Sequence, residues 1–196
     1  KGDHPPIEPL YTAEDVKGLI RNFEPCAFSK WYDLTDNNEV RLRFHPAGHV
    51  LGSAIVELDV KDGSEQKRIV FSGDLGRRGM PLLRDPVPVE GADVLVCEST
   101  YGSRVHPPPQ DIKNQLKKII GEAYTRGGRV IIPAFSFGRT QQIVYFLNEL
   151  TNSGELFCLP MFLDSPLASR LTNVFRRYDH TLDADVQETL KHDDDP

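Results

Sequence analysis

The sequence predicts an α/β chain in two parts, mostly antiparallel β up to about residue 103 and parallel-type α/β after it. Two observations carry this. Between residues 40 and 71, short runs alternate apolar and polar side chains and are separated by turn signals, the pattern of strands that bury one face and fold back on each other. Beyond residue 103, short apolar runs alternate with stretches of helical periodicity, the spacing of parallel βα units.

Residues 1–10 are polar and Pro-rich and predict an extended lead-in. Thr12 with Asp15 three residues on is a helix N-cap signal, and Val16, Leu19, Ile20 and Phe23 follow at helical spacing, so a helix is expected over 13–22. Strands are expected over 28–34 and 40–44, joined by an Asp36-Asn37-Asn38 turn, and over 53–60 and 67–71, joined through Lys61-Asp62-Gly63-Ser64. The Pro-rich stretch 80–91 reads as a long surface connection into a strand over 93–97. A helix over 111–126 presents Ile112, Leu116, Ile119, Ile120 and Ala123 on one face and ends at Gly127-Gly128. Then come a strand over 129–133, a loop over 134–138, a helix over 139–150, a strand over 157–163 and a helix from Pro166 to about Tyr178. The acidic tail 180–196 reads as solvated or unfinished.

A hydrophobic content of 39% suffices for a core, and the net charge of −6 argues against a general nucleic-acid coat protein. Any nucleic-acid binding must come from a local basic patch or a metal. Three widely spaced cysteines, Cys26, Cys97 and Cys158, with no C-x-x-C, predict reduced, buried thiols in a cytoplasmic protein. No apolar run is long enough to span a membrane and no secretory signal opens the chain, so no membrane partner is expected. A start without Met fits a chain cut from something longer.

Three strand ends carry the candidate chemistry. His49 lies in Gly48-His49-Val50-Leu51-Gly52-Ser53-Ala54, Asp74 in Phe71-Ser72-Gly73-Asp74-Leu75-Gly76, and Glu98 in Glu98-Ser99-Thr100-Tyr101-Gly102. Strand ends are where polar groups converge while the strands fill the core, and an imidazole beside a carboxylate suits a divalent metal. The blander reading of Asp74 is a turn in which it bonds its own backbone. Pro133-Ala134-Phe135-Ser136-Phe137-Gly138-Arg139-Thr140-Gln141 stands between a strand and a helix. Backbone amides at that helix start, with Ser136, Gly138 and the Arg139 guanidinium, could hold a phosphate or RNA backbone. Equally, Ser136 could simply cap the turn while Arg139 pairs with a surface acid.

These four ordered motifs, spanning roughly residues 10–180, resemble the β-CASP branch of the metallo-β-lactamase superfamily, which includes RNA-processing metallo-ribonucleases. The resemblance implies part of a metallo-β-lactamase αββα domain over 1–103, followed by the start of an α/β β-CASP domain over 104–196, with the active site between them. It implies His49 as a ligand of one zinc, Asp74 as the carboxylate bridging two, and Glu98 as the acid that orients a leaving-group histidine. The implied cofactor is Zn2+, two per complete site. The implied partner is single-stranded RNA, with homo-oligomerisation in the full-length protein. The family's His-x-His-x-Asp-His motif and its two late histidines have no match here, so the resemblance implies an internal fragment with an incomplete site that binds zinc weakly and does not turn over. The competing readings are a non-catalytic scaffold in an RNA-processing complex and a hydrolase of small esters or thioesters.

His45 lies in a strand-then-loop context with Pro46 and reads as a surface or supporting residue. His4, His106, His180 and His192 read as solvated, Cys97 as core, and Phe135 and Phe137 as core more readily than as base-stacking groups.

Overall fold

A computed structural model describes residues 9–192. The expected readings of residues 1–8, including His4, lie outside the described residues. One sheet dominates the first half. Strands β1 (Trp31–Asp33), β2 (Val40–Pro46), β3 (Ala54–Asp62) and β4 (Glu65–Phe71) form an antiparallel meander, and β5 (Val94–Val96) adds to β4 in parallel, giving the order β1-β2-β3-β4-β5. The β3–β4 hairpin pairs Asp62 with Glu65, so Gly63-Ser64 makes a two-residue turn.

Register places charges together on one face. Arg43 pairs with Glu57 and Arg41 with Asp59 across β2 and β3, and Asp59 pairs with Arg68 across β3 and β4. Cross-strand partners share a face, so Leu42, Phe44, Val56, Leu58, Ile69 and Phe71 occupy the other. Glu57 and Asp59 are buried. Glu57 Oε2 meets His45 Nε2 at 2.6 Å and the Arg43 guanidinium at 2.8 Å, and Asp59 binds Arg41 at 3.0 Å and Arg68 at 2.9 Å. Burial pushes the Glu57 carboxyl up, but the bonds from His45 and Arg43 outweigh it and hold the group below the usual carboxylate range. Asp59 is likewise held low, first by Arg68. The guanidiniums of Arg41 and Arg43 lie over the ring of Trp31, 4.8 and 4.5 Å from its centre. His45 is therefore no surface residue: it is buried and locked to Glu57.

The segment expected to be a surface connection is partly core. Leu82 and Leu83 are buried with Phe175, Leu182 and Val186, and Leu51 and Tyr145 pack against them, so this cluster joins the two halves. Leu83 bridges to Leu182, and the Asp183 amide donates to the Leu82 carbonyl. The tail is accordingly ordered through a 3-10 turn (Asp179–Thr181) and helix Ala184–His192, because Leu182 and Val186 have apolar partners that its acidic composition hides.

The remaining helices are α1 (Ala13–Ile20), α2 (Pro109–Thr125), α3 (Arg139–Asn152) and α4 (Pro166–Arg177), with α5 the tail helix Ala184–His192. Asp15 of α1 closes its own cap, accepting the Thr12 amide at 2.7 Å, while Leu19 and Ile20 stay exposed. α2 and α3 pack through Ile120 and Leu150, with Leu156 beside them.

The strands expected over 129–133 and 157–163 do not form. A parallel strand needs a neighbouring strand for its backbone bonds, and among the described residues neither run has one. Ile131 and Phe162 are accordingly 90% and 88% exposed. The cysteines also depart from expectation: all three are exposed, Cys97 because it follows the open edge strand β5 and Cys158 because it lies on an unpaired run. Phe135 and Phe137 are both exposed rather than core, although Phe137 meets Phe175 edge to face.

Candidate active site at three strand ends

The loop carrying His49 continues the β2–β3 hairpin beyond its last ladder pair. The Ala47 amide donates to the Ser53 carbonyl, and Ser53 Oγ accepts the amides of His49 at 3.0 Å and Val50 at 3.2 Å. A single serine therefore satisfies the tip of this loop. The Asp74 loop leaves β4 and presses backbone to backbone on it: the Gly76 amide donates to the Ala47 carbonyl at 2.7 Å. A Cβ on Gly76 would stand 1.9 Å from the Gly48 carbonyl oxygen, so only glycine allows this approach.

The contact brings His49 Nε2 to 3.8 Å from Asp74 Oδ2, with the two side chains 46% and 70% exposed. Donor atoms at this separation on an open rim can share one cation. Glu98 sits one strand over, just beyond β5. Its amide donates to Ser72 Oγ at 3.0 Å, and its Oε1 accepts the Leu75 amide at 2.6 Å. The Leu75 amide, and then the Thr100 hydroxyl, hold the Glu98 carboxyl below its ordinary range, with the nearby His49 contributing least.

The 136–139 turn approaches from the second half. Gly138 has φ +81°, and a Cβ there would lie 3.1 Å from Val50 Cγ1, so the start of α3 abuts the residue following His49. The expected open amides are only partly open. The Gly138 amide donates to Gln141 Oε1 at 2.8 Å, and Ser136 Oγ lies 3.2 Å from Ser165 Oγ. Buried Gln141 also donates to the Ser136 carbonyl and to Thr172, fixing the turn against α4. Arg139 projects from this turn exposed.

The structure thus brings His49, Asp74 and Glu98 to one rim, sets Arg139 on the adjoining turn, and gives Ser136 and Gly138 internal partners. A cleft of about 1290 Å³ lies elsewhere, between α2, α3, α4 and the two unpaired runs, and none of the three rim residues lines it. It is the space those runs leave by not joining a sheet.

Residues 140–196 match the Beta-Casp domain model. The chain is similar to Ribonuclease TTHA0252 of Thermus thermophilus, 35% identical over 92% of the chain. It is similar also to the RNase J-like protein of Methanocaldococcus jannaschii, 33% identical over 93%. The chain belongs to the β-CASP family. Endoribonuclease YSH1 of Kluyveromyces lactis is a more distant relative of this β-CASP chain, 30% identical over 93% of it. The chain spans 40%, 42% and 24% of the lengths of these three relatives.

Membership in this branch of the metallo-β-lactamase superfamily implies metal ions. The donor set fits one in part, since an imidazole nitrogen and a carboxylate oxygen face each other across the rim. Among the described residues no group of three or more His, Cys, Asp or Glu side chains is placed to hold a metal. Sequence reading missed Ser53, Ser72 and Gln141 as the residues that fix these loops. The available signal was their position, each a small or amide side chain within a few residues of a glycine turn.

Proposed function

We propose that this β-CASP chain is part of a zinc-dependent ribonuclease that hydrolyses phosphodiester bonds of single-stranded RNA. The observation that carries the reading is the 3.8 Å approach of His49 Nε2 to Asp74 Oδ2 on an exposed rim beside the start of α3. Ligands of one zinc each lie ~2.0–2.2 Å from it, which sets their donor atoms roughly 3–4 Å apart. The names of the relatives, ribonucleases and an endoribonuclease, support RNA hydrolysis as the reaction class.

When bound, a metal pair supplies an activated water and charge stabilisation at a phosphodiester oxygen. On this chain, His49 would offer Nε2 and Asp74 Oδ2 to hold it. Arg139 presents its guanidinium from the neighbouring turn, suited to a phosphate oxygen of the RNA backbone. Gln141 keeps that turn rigid. The 196-residue stretch alone holds His49 and Asp74 as its ligands, so it binds zinc weakly and does not turn over.

A chain extended to the length of its relatives is expected to cleave single-stranded RNA and to stop on chelation. His49→Ala or Asp74→Ala should lower kcat/KM by about 100-fold or more. Cleavage that survives both chelation and these substitutions overturns the reading.

A further inference from the structure

We propose that Ser72 and Glu98 form a clasp that positions Asp74, so that the Glu98 carboxylate serves as a positioning group rather than a free acid. The inference rests on the reading of Asp74 as a ligand and adds how the chain holds it. Asp74 is 70% exposed and lies between Gly73 and Leu75 on a short loop, so side-chain packing does little to fix it. Its neighbours do the fixing.

On one side, Ser72 is buried, its amide donates to the Val96 carbonyl at 2.9 Å, and its hydroxyl donates to the Gly73 carbonyl at 2.7 Å while accepting the Glu98 amide at 3.0 Å. On the other side, the Leu75 amide donates to the Glu98 carboxylate at 2.6 Å, a charge-assisted bond. Residue 98 thus holds both flanks of Asp74, one through its backbone and one through its side chain. β5 is only three residues long, and its Val94, Leu95 and Val96 are 48%, 61% and 50% exposed. Apolar burial therefore does not seat the strand end that carries Glu98, and the polar clasp supplies what burial does not.

Amide exchange reads the clasp without metal or RNA. In the wild-type chain the Leu75 amide is expected to exchange about tenfold or more slower than in an unstructured peptide. Glu98→Ala should raise the Leu75 rate about tenfold relative to Leu58 in β3, while Glu98→Gln, which keeps an acceptor oxygen, should stay within about threefold of wild type. A Leu75 amide that exchanges freely in the wild-type chain overturns the clasp, whatever the variants do.

The consequence for Asp74 is read in the family-length chain as the metal concentration that half-activates RNA cleavage. Ser72→Ala and Glu98→Ala should raise it by about tenfold or more, with Ser72→Thr and Glu98→Gln recovering most of the shift. Equal losses in Glu98→Gln and Glu98→Ala at an unchanged half-activating concentration would assign the carboxylate to proton transfer and overturn the proposal. If the wild-type chain cleaves no RNA, the ribonuclease reading falls, and the exchange result still decides the clasp.

Discussion

The two halves of this chain meet the same problem, satisfying backbone and burying side chains, with different means. In the first half, consecutive strands pair with their sequence neighbours, and the buried face sets an ionic layer, Glu57 and Asp59 held by His45 and three arginines, beside a small apolar cluster of Ala47, Ile55 and Val70. In the second half the buried layer is aliphatic, Ile120, Leu150 and Leu156, and the two apolar runs between helices are unpaired. Hairpin strands carry their partner with them. A parallel strand depends on one supplied from elsewhere, which is why the apolar runs expected as strands in the second half stay unpaired among the described residues.

The largest expected effect is in the ionic layer. Glu57→Ala removes the carboxylate that His45 and Arg43 share and leaves those groups without it, and should cost about 3–5 kcal/mol in urea unfolding. Leu150→Ala in the aliphatic layer, where the side chain is fully buried, should cost about 3 kcal/mol. A Glu57→Ala cost well below that of Leu150→Ala would erase the distinction between the halves.

Acid sharpens the same contrast. The folded pKa of Glu57 lies below its ordinary value of 4.5 and that of Asp59 below 3.8, so the stability they contribute is complete above about pH 4.5 and is lost as pH falls through the folded values. Trp31, the single tryptophan, lies under Arg41 and Arg43 of this layer. Its fluorescence is expected to change on acidification before the far-ultraviolet signal of the helices. Simultaneous loss of both signals would show that one core, not two, governs acid unfolding.

The smallest effect is at the seam. Gly138→Ala imposes a side chain at φ +81° and against Val50, and should cost about 1–2 kcal/mol. Its expected signature is a larger chemical-shift change at Val50 and His49 than at Leu150. The reverse would mean that the α3 start does not abut the His49 loop.

What could be read in advance follows from distance along the chain. β2, β3 and β4 were legible within a few residues because alternation and the Gly63-Ser64 turn are local signals. The polarity of their buried face was not, since Glu57 and Asp59 on an alternating strand read as its solvent side. Leu82 and Leu83 were hidden in a Pro-rich stretch because their partners Phe175 and Leu182 come from the far end of the chain. The rim residues His49, Asp74 and Glu98 were singled out by their position at strand ends. The serines and the glutamine that hold their loops were not, because a hydrogen bond from the Glu98 amide to Ser72 Oγ has no local periodicity.

By itself the sequence determined which side chains stand at the three strand ends, which glycines bracket them and where α1 to α4 run, but not the tail helix α5. Only the tertiary structure decided that His49 and Asp74 approach to 3.8 Å, that Glu98 is tied to the Asp74 loop, and that Gly138 brings the second half against the first. Propensity and periodicity act over a few residues. Distances between loops depend on sheet register and on backbone contacts such as Gly76 against Gly48, which no local pattern encodes.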